Sequence, residues 1–268
     1  MFVSDGKPLT AGESQALKQS FDENGYFILR DVVSPERLTE LHNALVEAFD
    51  TAKRSGTLFS GGGLVSGHLN CFPGKGARFV YDTLEERGII GLIRQLHPKA
   101  DRMPNVGCNF NLPGSAMQHY HTDRPFTRDF MIANVAVVDT VLENGAMELI
   151  PGTHKEFYKY TRFVLERLSA RSIRVPLNKG DVMVRTSNVW HRGMPNRTAV
   201  ARPMLAMTWE DGGSLSDDPF SAEDGEIKFF PNWFRPTRLG RVRENMFVKL
   251  PITYSALRFA RSLYDKEY

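Results

Sequence analysis

Residues 129–150 read DFMIANVAVVDTVLENGAMELI, and the pattern of this stretch indicates the fold class. Two short apolar runs are separated by Asp139, Asn144 and Gly145, which are residues that favour turns. The same texture begins near Met103 and continues to about residue 210. It is typical of an antiparallel barrel or sandwich. We therefore predict strands near residues 104–112, 116–122, 129–139, 146–150, 171–177, 181–186 and 201–210.

Helical patterns flank this β region, so the fold class we predict is mainly β with flanking helices. Thr10 and Glu13 form a capping box, which predicts a helix that ends at Gly25, before a strand at residues 26–29. A second helix is predicted behind Ser34, because Pro follows it and leucines then recur at helical spacing. Further helical patterns lie at residues 81–96, 155–169 and 254–264.

The organisation that we predict is a single domain over residues 1–268. Residues 1–100 form a helical support, with a mobile lid loop at the glycines 61–63, which lack the Lys and Ser/Thr of a phosphate loop. Residues 101–210 form the β core, and residues 211–268 wrap around it. Residues 226–268 hold nine Lys/Arg against four Asp/Glu. We interpret this basic end as a solvated wrap, with contact to an anionic substrate or a membrane surface as the alternatives.

Composition excludes several classes of protein. A net charge of +3 on 268 residues is too mild for a nucleic-acid-binding module, whose Lys and Arg usually form one stripe. The longest apolar stretch, residues 130–138, is about half the roughly 20 residues that a membrane-spanning helix needs, so no membrane insertion is expected. Cys71 and Cys108 are too few for a disulfide framework, and no signal peptide is evident. We expect a cytoplasmic protein.

A possible metal site lies in residues 118–123, which read QHYHTD. His121 and Asp123 are two residues apart, so both side chains leave the same face of an extended strand. His191, about seventy residues later, offers a third ligand. Two imidazoles and one carboxylate form the facial triad of non-haem iron(II) oxygenases, which leaves coordination positions open. Structural zinc would usually take four protein ligands, often including Cys.

Arg202 lies eleven residues after His191, within the run VARPMLAM at residues 200–207. An arginine among apolar neighbours is costly unless an anion pairs with it. The fork of a guanidinium suits a ligand carboxylate. The alternatives are a pair with an internal Asp or Glu and a side chain that reaches solvent.

Over roughly residues 15–210 the sequence resembles the phytanoyl-CoA dioxygenase family of iron(II)- and 2-oxoglutarate-dependent oxygenases. The spacing from His191 to Arg202 and the block NGAMELIPGTH at residues 144–154 are the more specific parts of the resemblance. Its other parts are FDENGY at residues 21–26, HTD at 121–123, Gly180-Asp181, Asn196, Arg197 and Thr198.

The resemblance implies a double-stranded β-helix, the jelly-roll barrel also found in cupins. It implies iron(II), 2-oxoglutarate and O2 as cofactor and cosubstrates, with iron held by His121, Asp123 and His191. Arg202 would pair with the distal carboxylate of 2-oxoglutarate, and Asn134 and Asn109 would be further contacts to the cosubstrate. Gly193, two residues after His191, departs from the family members that have a hydroxyl there.

The expected reaction is hydroxylation of an unactivated C–H of a small molecule, such as a secondary metabolite, a sugar or an acyl compound, with release of succinate and CO2. Desaturation, epimerisation and cyclisation would use the same residues. The alternatives are a cupin-like oxygenase or isomerase that does not use 2-oxoglutarate and a non-catalytic metabolite-binding barrel. The candidate substrate-pocket residues are Gln118, His119, Arg124 and Phe126; for His119 a polar strand edge and for Arg124 plain surface charge are the alternatives.

Overall fold

The computed structural model of the chain describes residues 2–3, 7–59, 63–231 and 237–264. Its strands, in chain order, are β1 (Phe2–Val3), β2 (Tyr26–Arg30), β3 (His68–Phe72), β4 (Asn105–Asn111), β5 (Met131–Ala136), β6 (Met147–Leu149), β7 (Ile173–Val175), β8 (Val182–Thr186), β9 (His191–Arg192), β10 (Arg202–Thr208) and β11 (Lys228–Phe230). Its α-helices are α1 (Ala11–Asn24), α2 (Pro35–Arg54), α3 (Arg78–Glu86), α4 (Ile89–Leu96), α5 (Tyr160–Leu165), α6 (Arg238–Lys249) and α7 (Pro251–Tyr264).

The strands form two sheets, which confirms the prediction of a mainly antiparallel β fold with flanking helices. The large sheet has the order β1-β2-β8-β5-β10-β4-β3-β11, and the small sheet has the order β7-β6-β9. All neighbouring strands are antiparallel except β1 and β2, which are parallel. The arrangement is a jelly-roll core in which the two sheets do not close into a barrel.

The large sheet has one face on the main core and one face toward the small sheet, because successive side chains alternate along each strand. Val135, Val184 and Leu205 point into the main hydrophobic core, together with helical side chains such as Leu38 and Leu84. The residues between them in sequence face the other way. There Met183 and Met204 pack with Leu149 of the small sheet. This inner face carries the candidate functional residues.

Two predicted elements differ from the structure. The helix predicted over residues 81–96 is two helices, α3 and α4, because Gly88 adopts a left-handed conformation with φ +74° between them. The strand predicted over residues 116–122 is irregular, and its only ladder contact is an isolated bridge between His121 and His191. The strand β3 and the helix α6 were not predicted. Of the predicted lid glycines, 61 and 62 lie outside the described residues.

Both cysteines are free. Cys71 on β3 and Cys108 on β4 lie opposite each other and are buried on the face of the main core. Within the described ranges, the helices are all too short or too polar to cross a membrane.

Candidate metal centre

Three side chains converge between the two sheets. His121 and His191 are joined by reciprocal backbone hydrogen bonds of 2.9 and 3.0 Å, which place their imidazoles side by side with ring centroids 4.4 Å apart. Asp123 lies two residues beyond His121, and its Oδ1 is 3.5 Å from Nε2 of His191 and 3.9 Å from Nε2 of His121. One ligand atom from each residue lies within 4.8 Å of the others, a spacing suited to a shared metal ion.

Backbone carbonyls fix the tautomer of both histidines. Nδ1 of His121 is 2.8 Å from the carbonyl oxygen of His119, and Nδ1 of His191 is 2.9 Å from that of Val189. A carbonyl oxygen accepts only, so each Nδ1 carries the proton and donates it. The Nε2 lone pair of each ring is then directed toward Asp123, which is how protein metal sites orient imidazole ligands.

Burial and charge keep the three groups in their ligating protonation states. Burial, helped by the Arg185 cation, lowers the pKa of His191 to about 3, and burial also lowers the pKa of His121. Burial alone would raise the pKa of the Asp123 carboxyl, but the Arg185 cation that donates to it holds that pKa well below its usual range. Near neutral pH the site therefore offers two neutral imidazoles and one carboxylate.

Arg185 is a residue of the site that the sequence analysis missed. It lies on β8, and its guanidinium donates from Nη1 to Oδ2 of Asp123 at 2.7 Å and from Nε to Oδ1 of Asn134 at 3.2 Å. The signal was present in the sequence, because Arg185 ends an apolar run, VMVRT, as Arg202 interrupts another. Its partner, Asp123, is sixty-two residues away in the chain and becomes evident only from the fold.

Arg202, at the start of β10, is buried without an anionic partner among the residues that the structure describes. Its Nε has no hydrogen-bond acceptor, and its one hydrogen bond to a described residue is long, 3.5 Å from Nη2 to the carbonyl oxygen of Gly145. Burial lowers the pKa of Arg202 to about 10, so the group stays cationic near neutral pH. The sequence left two alternatives for Arg202, a pair with an internal Asp or Glu and a side chain that reaches solvent. The buried position, without a carboxylate partner among the described residues, agrees with neither. A buried cation of this kind calls for an anionic ligand.

The metal-binding side chains and Arg202 line one cavity of about 510 Å³. Asn109 of β4 and Asn134 of β5 line it as well, and so do Gln118 and Arg124. The guanidinium of Arg124 forms an ion pair with Glu210 on the same cavity wall. The cavity is of the size of a small-molecule site and carries a few convergent polar groups.

Two of the candidate substrate-pocket residues are placed elsewhere. The imidazole of His119 stacks on the ring of Tyr254, with centroids 3.9 Å apart, because α7 packs on this segment, where Arg258 donates to the carbonyl oxygen of Tyr120. Phe126 packs against Phe157, with centroids 6.0 Å apart. Neither residue is among those that line the cavity.

The absence of a side chain at Gly193 has a structural reason. The backbone N–H of Gly193 donates to Oε1 of Gln118 at 2.8 Å. A Cβ at this position would lie 2.7 Å from that oxygen and 3.0 Å from Cε1 of His68. The Gln118 carboxamide therefore fills the space where a side chain at position 193 would stand.

The residues fit the cofactor and cosubstrate that the resemblance implies. The donor set of two imidazole nitrogens and one carboxylate oxygen matches the preferences of iron(II). The buried, unpaired guanidinium of Arg202 matches a carboxylate of 2-oxoglutarate. The remaining wall supplies amide groups from Asn109 and Asn134.

Comparisons with known proteins agree with the fold and the site. The family model for phytanoyl-CoA dioxygenase (PhyH) matches residues 21–204. Dioxygenase lolE1 of Epichloe uncinata is 30% identical over 116 residues, which cover 40% of this chain and 45% of the relative, so the match spans less than half of the relative's length.

Among solved structures, the non-heme alpha ketoglutarate dependent carbocyclase SnoK from nogalamycin biosynthesis has a TM-score of 0.56 at 18% identity, over 75% of this chain and 85% of its own. AviO1 from Streptomyces viridochromogenes Tue57 has a TM-score of 0.54 at 19% identity, over 75% of this chain and 96% of its own. The epimerase SnoN in complex with Fe3+, alpha ketoglutarate and nogalamycin RO has a TM-score of 0.52 at 18% identity, over 74% of this chain and 84% of its own. At these identities the likeness concerns the fold.

Proposed function

The chain belongs to the phytanoyl-CoA dioxygenase family of non-haem iron(II)- and 2-oxoglutarate-dependent oxygenases, and on that premise we propose that it hydroxylates an unactivated C–H bond of a small molecule. One O2 and one 2-oxoglutarate are consumed for each alcohol formed, and succinate and CO2 are released. The observation that carries the proposal is that the His-Asp-His group and the unpaired Arg202 share one cavity.

Each of these residues has a defined task in the proposed reaction. His121, Asp123 and His191 would hold iron(II), which when bound with 2-oxoglutarate and O2 supplies the oxidising power for C–H hydroxylation. Arg202 would bind the distal carboxylate of 2-oxoglutarate and so orient the cosubstrate. The Asn109 and Asn134 amides are proposed as further contacts.

Arg185 acts on the metal ligand. Because it takes Oδ2 of Asp123, the other oxygen, Oδ1, is left toward the two imidazoles. Asp123 would then offer one carboxylate oxygen to the metal, and Arg185 would hold that oxygen in position. His191 and Arg202 are themselves buried, which limits the access of water to these two groups.

A second cavity supports a substrate larger than the space beside the metal. It has a volume of about 480 Å³ and shares Asn70, Asn109 and Ala206 with the first cavity. Phe72 and Phe230 form part of its wall. A molecule with a ring or chain that rests on these aromatic side chains would place its reacting carbon in the metal cavity. Arg124 and Gln118 are proposed to contact polar groups of this substrate.

Arg202 also distinguishes this proposal from the two alternatives. A cupin-like enzyme without 2-oxoglutarate and a non-catalytic barrel would both bury this cation with no use for it, at considerable cost. Names of structural relatives include a carbocyclase and an epimerase, and those outcomes remain variants of the same proposed chemistry. Two free, buried cysteines suit the reducing cytoplasm that we propose as its location.

The proposal is tested by succinate release. The metal-free protein receives iron(II), 2-oxoglutarate and air, with and without a panel of metabolites, and products are searched for a gain of one oxygen atom. We expect slow succinate release alone, faster release with a substrate, and none for His191→Ala. Product formation that does not need 2-oxoglutarate would favour the cupin-like alternative.

A further inference from the structure

The two carboxyl-terminal helices carry apolar side chains on their solvent side. In α6 and at the residue after it, four large apolar side chains are between 40% and 78% exposed, namely Leu239, Val242, Met246 and Leu250. Their spacing of three, four and four residues places them on one face of the helix. The opposite face of α6 packs on the rest of the protein, where Glu244 and Phe247 are buried.

Helix α7 repeats this arrangement. Its large apolar side chains Ile252, Leu257, Leu263 and Tyr264 are between 52% and 79% exposed. Ala256 and Ala260, which are also exposed, continue the solvent face between them. On its inner side, Ser262 is buried and Arg258 donates from Nη1 to the carbonyl oxygen of Tyr120 at 2.5 Å. Single exposed apolar residues need no explanation, but a continuous stripe on both helices does.

The charges beside these stripes have one sign. The exposed basic residues of α6 and α7 are Arg238, Arg241, Arg243, Lys249 and Arg261, since Arg258 is turned inward, and the one acidic residue within the described part of this region, 237–264, is Glu244. Glu244 is buried and accepts from the backbone N–H groups of Gly63 and Ser66, so it does not offset the cations at the surface. With the last four residues included, 237–268 hold seven Lys/Arg and three Asp/Glu.

We propose that helices α6 and α7 form a surface that binds peripherally to a bilayer of anionic phospholipids. We call this surface, made by the exposed apolar and basic side chains just named, the α6–α7 face. Apolar stripes flanked by Lys and Arg are the pattern of helices that lie in the membrane interface. The apolar side chains enter the boundary between headgroups and acyl chains, and the cations pair with lipid phosphates and carboxylates.

The positive charge of the α6–α7 face also argues against a second copy of the chain as its binding partner. A two-fold dimer through the α6–α7 face would set arginines and lysines of one copy against the same cations of the other, with no exposed carboxylate in residues 237–264 to pair with them. An anionic surface has the complementary charge.

The inner side of α7 packs on residues that are close in sequence to two of the proposed metal ligands. The ring of Tyr254 stacks on His119, and Arg258 packs 4.9 Å from the ring of Trp190, next to His191. Binding to a bilayer would therefore place the metal cavity close to the lipid surface. Lipid binding by the α6–α7 face does not depend on the oxygenase reaction.

The test is sedimentation of the full-length protein with large unilamellar vesicles, either of phosphatidylcholine alone or with about a third phosphatidylserine. One variant, Leu239→Gln with Ile252→Gln, removes exposed apolar contact. A second variant, Arg238→Gln with Lys249→Gln, removes charge. Matched controls are Leu215→Gln, at an apolar residue 87% exposed on another part of the surface, and Lys53→Gln with Lys99→Gln. Thermal unfolding checks that every variant folds.

We expect partitioning into anionic vesicles that falls with added salt and is much weaker for phosphatidylcholine alone. Each cation at such a surface contributes about fivefold, so the charge variant should lose about 25-fold. The apolar variant should lose at least about tenfold, and both controls should match the parent. Equal partitioning into both vesicle types, or folded variants that bind like the parent, would overturn the proposal. So would a parent that binds no vesicles and dimerises, with the apolar variant monomeric.

Discussion

Arg185 and Asp123 form a partly buried ion pair in which the guanidinium Nη1 lies 2.7 Å from Oδ2 of the carboxylate. The other carboxylate oxygen, Oδ1, faces Nε2 of His191 at 3.5 Å. The two oxygens of Asp123 thus have different surroundings. Oδ2 pairs with the Arg185 cation, and Oδ1 faces the Nε2 atoms of the two histidines. The orientation of Asp123, a proposed metal ligand, thus depends on an arginine of strand β8.

Substitution of Arg185 should weaken metal binding without removing a ligand. In Arg185→Gln, Asp123 loses the cation that orients it, and we expect the affinity for iron(II) to fall by about 10- to 100-fold, as is usual for residues that hold metal ligands. Anaerobic titration with iron(II) measures this. Arg124→Gln, which alters an arginine on the same cavity wall that pairs with Glu210, is the control and should change the affinity little. An unchanged affinity in Arg185→Gln would contradict this role.

Replacement of Arg202 should stabilise the ligand-free protein while it abolishes the response to 2-oxoglutarate. Arg202→Met removes a buried cation that lacks a partner, so we expect the free energy of unfolding to rise by roughly 1 kcal/mol or more. The parent should gain further stability when iron(II) and 2-oxoglutarate are added together, and Arg202→Met should not. Thermal unfolding measures both effects.

The conservative variant Arg202→Lys separates charge from geometry. It keeps the cation but loses the planar fork, so we expect only partial recovery of the 2-oxoglutarate response and no gain in ligand-free stability. A less stable Arg202→Met would mean that Arg202 has a stabilising anionic partner in the folded protein, whereas none of the described residues pairs with it.

Gly193 and Gln118 should be energetically coupled. Gly193→Ala places a Cβ against the Gln118 carboxamide and breaks its hydrogen bond to the backbone, so we expect a loss of about 1 kcal/mol in the free energy of unfolding. In Gln118→Ala the space is open, and the added cost of Gly193→Ala should shrink. Urea unfolding of the four proteins measures the coupling. Gly12→Ala in α1, where nothing lies within 4 Å of the new Cβ, serves as the control; strict additivity would disprove the coupling.

His119 and His121 should respond differently to the same substitution. His121→Ala removes a ligand and should abolish iron(II) binding. His119→Ala removes a ring that stacks on Tyr254, so it should lower stability by about 0.5–1.5 kcal/mol and leave iron(II) affinity nearly unchanged. Parallel metal titrations and thermal melts distinguish the two. Loss of iron binding in a folded His119→Ala would show that His119 reaches the metal.

Local patterns in the sequence predicted much of the fold. Turn residues between short apolar runs marked β4, β5, β8 and β10, and a capping box marked the start of α1. Prediction failed where the conformation of a segment depends on contacts with residues far away in the sequence. Residues 116–122 read as a strand, yet they contact the neighbouring segment through scattered hydrogen bonds, such as the one from the N–H of Gln118 to the carbonyl oxygen of Gly193.

The residues of the candidate site also fall into those that the sequence predicted and those that depend on distant contacts. The proposed metal ligands and Arg202 were named from spacing and from the cost of burying a charge, both of which are visible in sequence. Burial of the Arg185 charge among apolar neighbours would be equally costly, but its partner was not evident from the sequence. The ion pair with Asp123 joins β8 to an irregular segment. The position of His119 could not be predicted, since it depends on where Tyr254 and α7 pack.

The most direct test of the central claim is anaerobic. Iron(II) and then 2-oxoglutarate are added to the metal-free protein, and the weak visible charge-transfer band of the chelated keto acid is recorded for the parent, Asp123→Ala and Arg202→Ala. We predict a band in the parent, no band in Asp123→Ala, and a band in Arg202→Ala only at far higher 2-oxoglutarate. A parent that binds iron(II) but shows no band at any 2-oxoglutarate concentration would contradict the account.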